Sequence, residues 1–160
     1  MATDIHIKLD GIKGESKDDK HKDEIQIDNV SWGVVQQGTF GSGGGGGAGK
    51  ASAQDIHFSK MVDKASPTLF LKCATGTHIP TATITFRKAG DKPQEFLKIV
   101  LTNILVSSIQ NSGSAAGSIP TESISLNFSK IEITYQEQDA KGAVGGPVIS
   151  GYDFSVNKKT

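Results

Sequence analysis

The single cysteine, Cys73, and the four histidines limit what this chain could do as a nucleophile or a general base. A thiolate nucleophile needs a base within hydrogen-bonding reach, and His57 and His78 are the only partners on offer. Cys73, however, falls on the apolar stripe of an expected helix, where a thiol packs rather than reacts. No G-x-S-x-G elbow, H-E-x-x-H pair or C-x-x-C motif occurs, and His6, His21, His57 and His78 read as strand-face or loop residues. The run from Gly41 to Gly49 with Lys50 almost spells a phosphate-binding loop, G-x-x-x-x-G-K, from Gly44 onward. Ala51 stands where the magnesium-binding hydroxyl would be, and the ASAQDIHFSK that follows alternates like a strand instead of opening a helix. The glycine run is therefore read as a long loop between strands, ordered only when docked against a partner because of its entropy cost. The segment ESKDDKHKDE, Glu15 to Glu24, matches no calcium loop, and lysines interrupt its carboxylates, so it reads as a solvated loop. The expectation is no catalytic residue, no cofactor and no metal.

Composition narrows the remaining classes. The 160 residues suit one domain, residues 1–160, with a real hydrophobic core. Lys plus Arg and Asp plus Glu each number 17, so no net field draws the chain to nucleic acid or to an anionic membrane. One cysteine cannot make an internal disulfide. The N-terminus, MATDIHIKLD, has neither the basic nor the apolar region of a secretory signal, and no run is long enough to insert in a membrane. A cytoplasmically made protein is expected, leaving the cell, if it does, without a cleavable signal.

The best-punctuated element is a helix in the stretch Asp55–Gly90. Ser66 suits the N-cap, Pro67 the first helical position and Gly76 the left-handed exit. Leu69, Phe70 and Cys73 give that helix one apolar stripe. Nearly everything else alternates with a period of two: Ile5, Ile7 and Leu9, then Ala82, Ile84 and Phe86, then a last strand over Val148–Val156. In two strands the alternation changes phase, near Asn29 between Ile25/Ile27 and Val30/Trp32, and at Ser129-Lys130 between Ile124/Leu126/Phe128 and Ile131/Ile133/Tyr135. A phase change marks a bulge or a strand that leaves one sheet for another, and two of them predict a closed barrel. Phe96–Ile109 is apolar on both faces when read as a strand, so its second face needs the helix or a neighbouring subunit as cover.

Several motifs occur in order from end to end: KGESKD (Lys13–Asp18), SWG (Ser31–Gly33), GGGGGAGK (Gly43–Lys50) and the D-x-x-F-x-K-x-x-D-K-x-[ST]-P-x-L block of Asp55–Leu69. RKAG (Arg87–Gly90), LVSSI (Leu105–Ile109), LNF (Leu126–Phe128) and GGP…GYD (Gly145–Asp153) complete the set. With these the whole chain resembles the haemolysin-coregulated protein (Hcp) family, the tube subunits of the bacterial type VI secretion system.

The resemblance implies a mainly β fold, two antiparallel sheets closed into a β-barrel with one short flanking α-helix. It further implies a non-enzymatic subunit of a homo-hexameric ring with a wide channel. Rings would stack into a secreted tube that carries small effector proteins and works with the spike and sheath components of the machine. Two sets of residues are singled out on that basis. If Val30 and Trp32 point inward, Ser31, with Asn29, faces outward and lines the channel. Gly43, Gly44, Gly45, Gly46 and Gly47 are expected to form a ring-stacking loop. Asp19–Lys22 and the polar tail after Phe154 receive no role.

Overall fold

The computed structural model describes every residue except 1, 39, 42–47, 91 and 143, and the backbone alone of residue 48. The chain opens with β1 (Thr3–Leu9), β2 (Ile25–Ile27), β3 (Asn29–Ser31), β4 (Val34–Gly38), β5 (Ala48–Ala53) and β6 (Ile56–Met61). The helix α1 (Ser66–Thr75) leads into β7 (Ile79–Lys88), β8 (Gln94–Ser112), β9 (Thr121–Gln138), β10 (Val144–Asp153) and β11 (Lys158–Lys159). The large sheet runs β11-β10-β9-β8-β7-β1-β2, with β6 also paired to β9 and β3 to β6, while β4 and β5 form a separate hairpin. All described pairings are antiparallel.

The mainly β composition and the one short helix are as expected, but the closed barrel is not. Among the described residues β2 pairs only with β1 and ends at Ile27, and β3 pairs only with β6 and begins at Asn29. At the bend between them the Asp28 amide turns to the Ser59 carbonyl. The two sheets are thus one branched sheet and a detached hairpin, and their ladders do not close into a barrel.

The phase changes that suggested closure have another cause. In register, Ile79, Ile104 and Phe128 lie side by side on β7, β8 and β9, as do Ala82, Leu101 and Ile131. All six are buried, although the two members on each strand are three positions apart. Alternation of side chains therefore breaks at one level across three neighbouring strands. Asn103, the β8 residue at that level, has a left-handed φ of 53°. The same device explains much of the two-faced character of Phe96–Ile109: Ile99 and Leu101 bury in one phase and Ile104 and Val106 in the other. Helix α1 lies against β8, and Leu69 joins the core cluster that also takes side chains from β1, β2, β6, β7, β8 and β9. Further along, β9 exchanges its β6 partner, which it holds from Thr121 to Leu126, for β10 from Lys130 onward.

The helix keeps its boundaries but not its cap. Pro67 stands in the first turn and Gly76 closes it with φ 66°, its amide returning to the Lys72 carbonyl. Ala65, with helical dihedrals and no side-chain bond, occupies the N-cap. Ser66 is unavailable for capping because its Oγ accepts from the Asp63 amide and from Lys60 Nζ, and donates to Glu122. Of the expected stripe, Leu69 is buried and Cys73 half-buried, but Phe70 is 62% exposed.

Glu15–Glu24 is not simply solvated. Arg87 extends two hydrogen bonds to Asp18, at 2.9 and 2.6 Å, and one of 3.2 Å to Asp4. Hydrogen bonding to the Arg87 guanidinium holds the Asp18 carboxyl far below its usual range. His21 is buried between Glu24 and Glu95, and its ring stacks on that of His6 with centroids 4.6 Å apart. Burial first, then the neighbouring His21 and Arg87, lower the pKa of His6.

Candidate functional site

The register of β3, β6, β9 and β8 builds one polar face. Asn29 stands beside Ser59, Ser59 beside Ser123, and Ser123 beside Gln110. In the next row Ser31 stands beside His57, His57 beside Ser125, and Ser125 beside Ser108. Alternation sends the intervening residues Ile56, Phe58, Ile124 and Leu126 into the core, so these rows face the other way. Hydrogen bonds run along this face: Ser125 Oγ lies 2.6 Å from His57 Nδ1 in the second row, and beyond it Asp55 accepts from Ser107 Oγ at 2.6 Å and Asn127 Nδ2 at 2.8 Å. Asp55 and His57 are the ionisable groups among these residues, and none is a large apolar side chain. A wall of this chemistry can hydrogen-bond many protein surfaces without selecting for one charge.

Asn29 and Ser31 are both exposed on this face. Val30 packs against the core, but Trp32 lies beyond the end of β3 and is 38% exposed. Gly43, Gly44, Gly45, Gly46 and Gly47 lie outside the described residues. Lys50 lies on β5 in the hairpin, so no helix follows the glycine-lysine sequence and the phosphate-loop reading fails on context. Among the described residues no hydrogen bond joins Cys73 to a histidine, and no group of three or more His, Cys, Asp or Glu is placed to hold a metal.

Beneath the wall lies a cluster that the sequence reading did not find. Lys60 is fully buried and its Nζ lies 2.7 Å from both Asp63 and Glu122, with further bonds to Ser66 Oγ and the Met61 carbonyl. Lys60, Asp63 and Ser66 come from the D-x-x-F-x-K-x-x-D-K-x-[ST]-P block and Glu122 joins them from β9, so that motif encodes most of a structural ion cluster. The signal was a lysine flanked by Phe58 and Met61 at a position where strand alternation demands an inward side chain.

Comparison with known proteins follows this geometry. The chain joins a mainly β fold to an open polar face. The family described as type VI secretion system effector, Hcp, matches residues 6–135. The chain is 46% identical over 159 residues to the protein hcp1 of Pseudomonas aeruginosa, covering 98% of each chain. Hcp1 from Salmonella typhimurium superposes with a TM-score of 0.83 at 40% identity, over 100% of both chains. A type VI secretion system effector from Yersinia pestis gives 0.77 at 35% identity, over 94% of this chain and 99% of the other. The chain belongs to the Hcp family, the tube proteins of the type VI secretion system. Among the described residues no helix is long and apolar enough to cross a membrane.

Proposed function

We propose that this protein is a structural, non-catalytic tube subunit that assembles as one domain into a hexameric ring, and that its rings stack and carry small effector proteins. The observation that carries the reading is the hydrogen-bonding face of β3, β6, β9 and β8, rich in serine and asparagine with Asp55 and His57 as its ionisable groups, which suits the wall of a channel open to different cargoes. Asn29 and Ser31 stand on that wall.

A ring is supported by apolar side chains left outside the core. Val148 and Ile149 on β10 and Tyr135 on β9 are all exposed, and among the described residues β11 pairs only with Tyr152 and Asp153, which leaves the rest of that edge of β10 without a strand partner. A closed ring buries such edges in a repeated heterologous contact. Stacking is assigned to the hairpin that carries Gly43–Gly47, with the spike and sheath of the machine as further partners. Export is through the machine itself.

The test is Ser31→Gln, which adds bulk without charge at one level of the channel. Native mass measurement should show hexamers for both forms, while co-purification of a small effector falls for the variant. Monomers of the wild type in dilute neutral buffer would overturn the ring, and undiminished effector retention would overturn the wall.

A further inference from the structure

Glu122 holds one carboxylate oxygen in use and one idle. In register it stands between Asn111 on β8 and Lys60 on β6, a row that alternation turns away from Ser59, Ser123 and the polar wall. Its side chain is fully buried. Oε2 lies 2.7 Å from Lys60 Nζ and accepts from Ser66 Oγ at 2.8 Å, whereas Oε1 has no hydrogen-bond partner among the described residues. Formally one ammonium faces two carboxylates in this cluster, Glu122 and Asp63, and of the two only Asp63 reaches solvent. Burying a carboxylate oxygen without a donor is strongly unfavourable.

Glu122 lines a pocket of about 280 Å³ between the start of α1 and the end of β8. Pro67 and Ile109 give it apolar walls, Ser66 stands beside the carboxylate, and Asn111 and Phe70 complete the lining. Pro67 and Phe70 are three positions apart on α1 and so share a face. The Phe70 ring is largely exposed, and the exposed Asn111 side chain has no hydrogen-bond partner among the described residues.

We propose that this pocket binds a guanidinium group on a narrow alkyl stem, at a site apart from the channel wall and independent of the tube reading. The cation donates to Glu122 Oε1 and lies against the Phe70 ring. Its stem runs between Pro67 and Ile109, and the Asn111 amide oxygen is a second acceptor. Three observations carry this. The idle oxygen of an ionised carboxylate accepts and cannot donate, so the occupant is a donor and not an anion. Lys60 offsets only one of the two carboxylates, so the donor that balances the cluster is a monocation. An aromatic ring and apolar walls beside that oxygen suit guanidinium, which is planar, weakly hydrated and stacks on rings, better than a strongly hydrated ammonium. A free guanidine and the arginine side chain of another protein present this same chemistry.

The experiment titrates the full chain calorimetrically with ethylguanidinium, with ethylurea as its neutral isostere, and with acetyl-arginine amide as the peptide-borne form. Ethylguanidinium should bind saturably at one site per chain, and ethylurea at least about tenfold more weakly, since the charge assistance is lost. Phe70→Leu keeps an apolar side chain on an exposed helix face and should weaken guanidinium binding about threefold by removing the ring. Glu122→Gln should weaken it at least about tenfold. That variant also disturbs the Lys60 pair, so its unfolding midpoint without ligand is read alongside, and if it does not fold, Phe70→Leu and ethylurea decide. Saturable binding of acetyl-arginine amide as well assigns the pocket to an arginine of a partner protein, whereas binding of ethylguanidinium alone assigns it to a free guanidine. No saturation, or equal affinities for ethylguanidinium and ethylurea, would overturn the proposal and leave water as the donor to Oε1. Affinity unchanged by Phe70→Leu and by a folded Glu122→Gln would place the cation elsewhere and overturn the site.

Discussion

Replacing Lys60 by methionine tests the buried cluster that the Asp55–Leu69 motif encodes. Lys60 and Glu122 both have fully buried side chains, and the Asp63 side chain is 14% exposed. Methionine fills most of the space of the lysine stem, so the cost is chiefly electrostatic. Two carboxylates lose their shared ammonium, and Glu122, whose Oε1 already has no partner, keeps only the hydroxyl of Ser66. Removing one partner of such a pair costs about 3–5 kcal/mol. That is a large fraction of the roughly 5–15 kcal/mol that holds a typical domain together. At about 2–4 °C per kcal/mol for a chain of this size, the thermal midpoint should fall by roughly 6–20 °C. The assay is thermal and urea unfolding at one fixed protein concentration, since ring assembly would otherwise shift the midpoint by mass action. The double variant Lys60→Met, Glu122→Leu should recover much of the loss, because the remaining Asp63 reaches solvent. A single variant within about 1 kcal/mol of wild type would refute the argument that the cluster depends on its lysine.

Acid should weaken the fold through His6. Because its folded pKa is lowered from 6.5, the unfolded chain takes up a proton that the folded chain refuses, so this contribution is complete above pH 6.5 and declines as the pH falls below it. The urea midpoint should therefore drop between pH 7.5 and 5.5, and less so in His6→Phe, which keeps a ring against His21 but cannot titrate; equal drops would exclude His6 as the source. Cys73→Ala should cost about 1 kcal/mol, since a half-buried sulfur is lost from the edge of the core, with secretion retained. A variant that forms rings yet is not secreted would show that the thiol has a chemical task.

Element order was largely legible because alternation and punctuation are local. Pro67 and Gly76 bracket the helix in the sequence as they do in space, and the two phase changes mark real features. Their meaning was not local. A change of parity on one strand looks the same whether the strand bends into a barrel, exchanges partners as β9 does, or sits beside two others that break phase at the same level. Only the register of Ile79, Ile104 and Phe128 against Ala82, Leu101 and Ile131 separates these cases. The polar wall was half visible: Asn29 and Ser31 stood out, but His57, Ser125 and Gln110 join them only through pairings of residues far apart in sequence. The clamp on Glu15–Glu24 was missed for the opposite reason. A run of charges reads as solvated unless the distant Arg87 and Glu95 that receive it are known.

The lengths of β8 and β9 bear on how the chain reaches this structure. Their ladder pairs Ser112 with Thr121 across a short loop and continues without leaving the two strands as far as Leu97 and Tyr135. It is a zipper that closes from one turn, each rung shortening the search for the next. The pairing of β1 with β7 joins Ile7 to Ile84 and can form only after a long loop has closed. Rungs of the β8–β9 zipper should accordingly set first and offer β7, and then β1, an edge to dock on. Pulse-labelled hydrogen exchange would show this as early protection over 97–135 and late protection over 5–9. Until that last docking β7 lacks the strand that pairs Ile7 with Ile84, and the buried faces of both stay open.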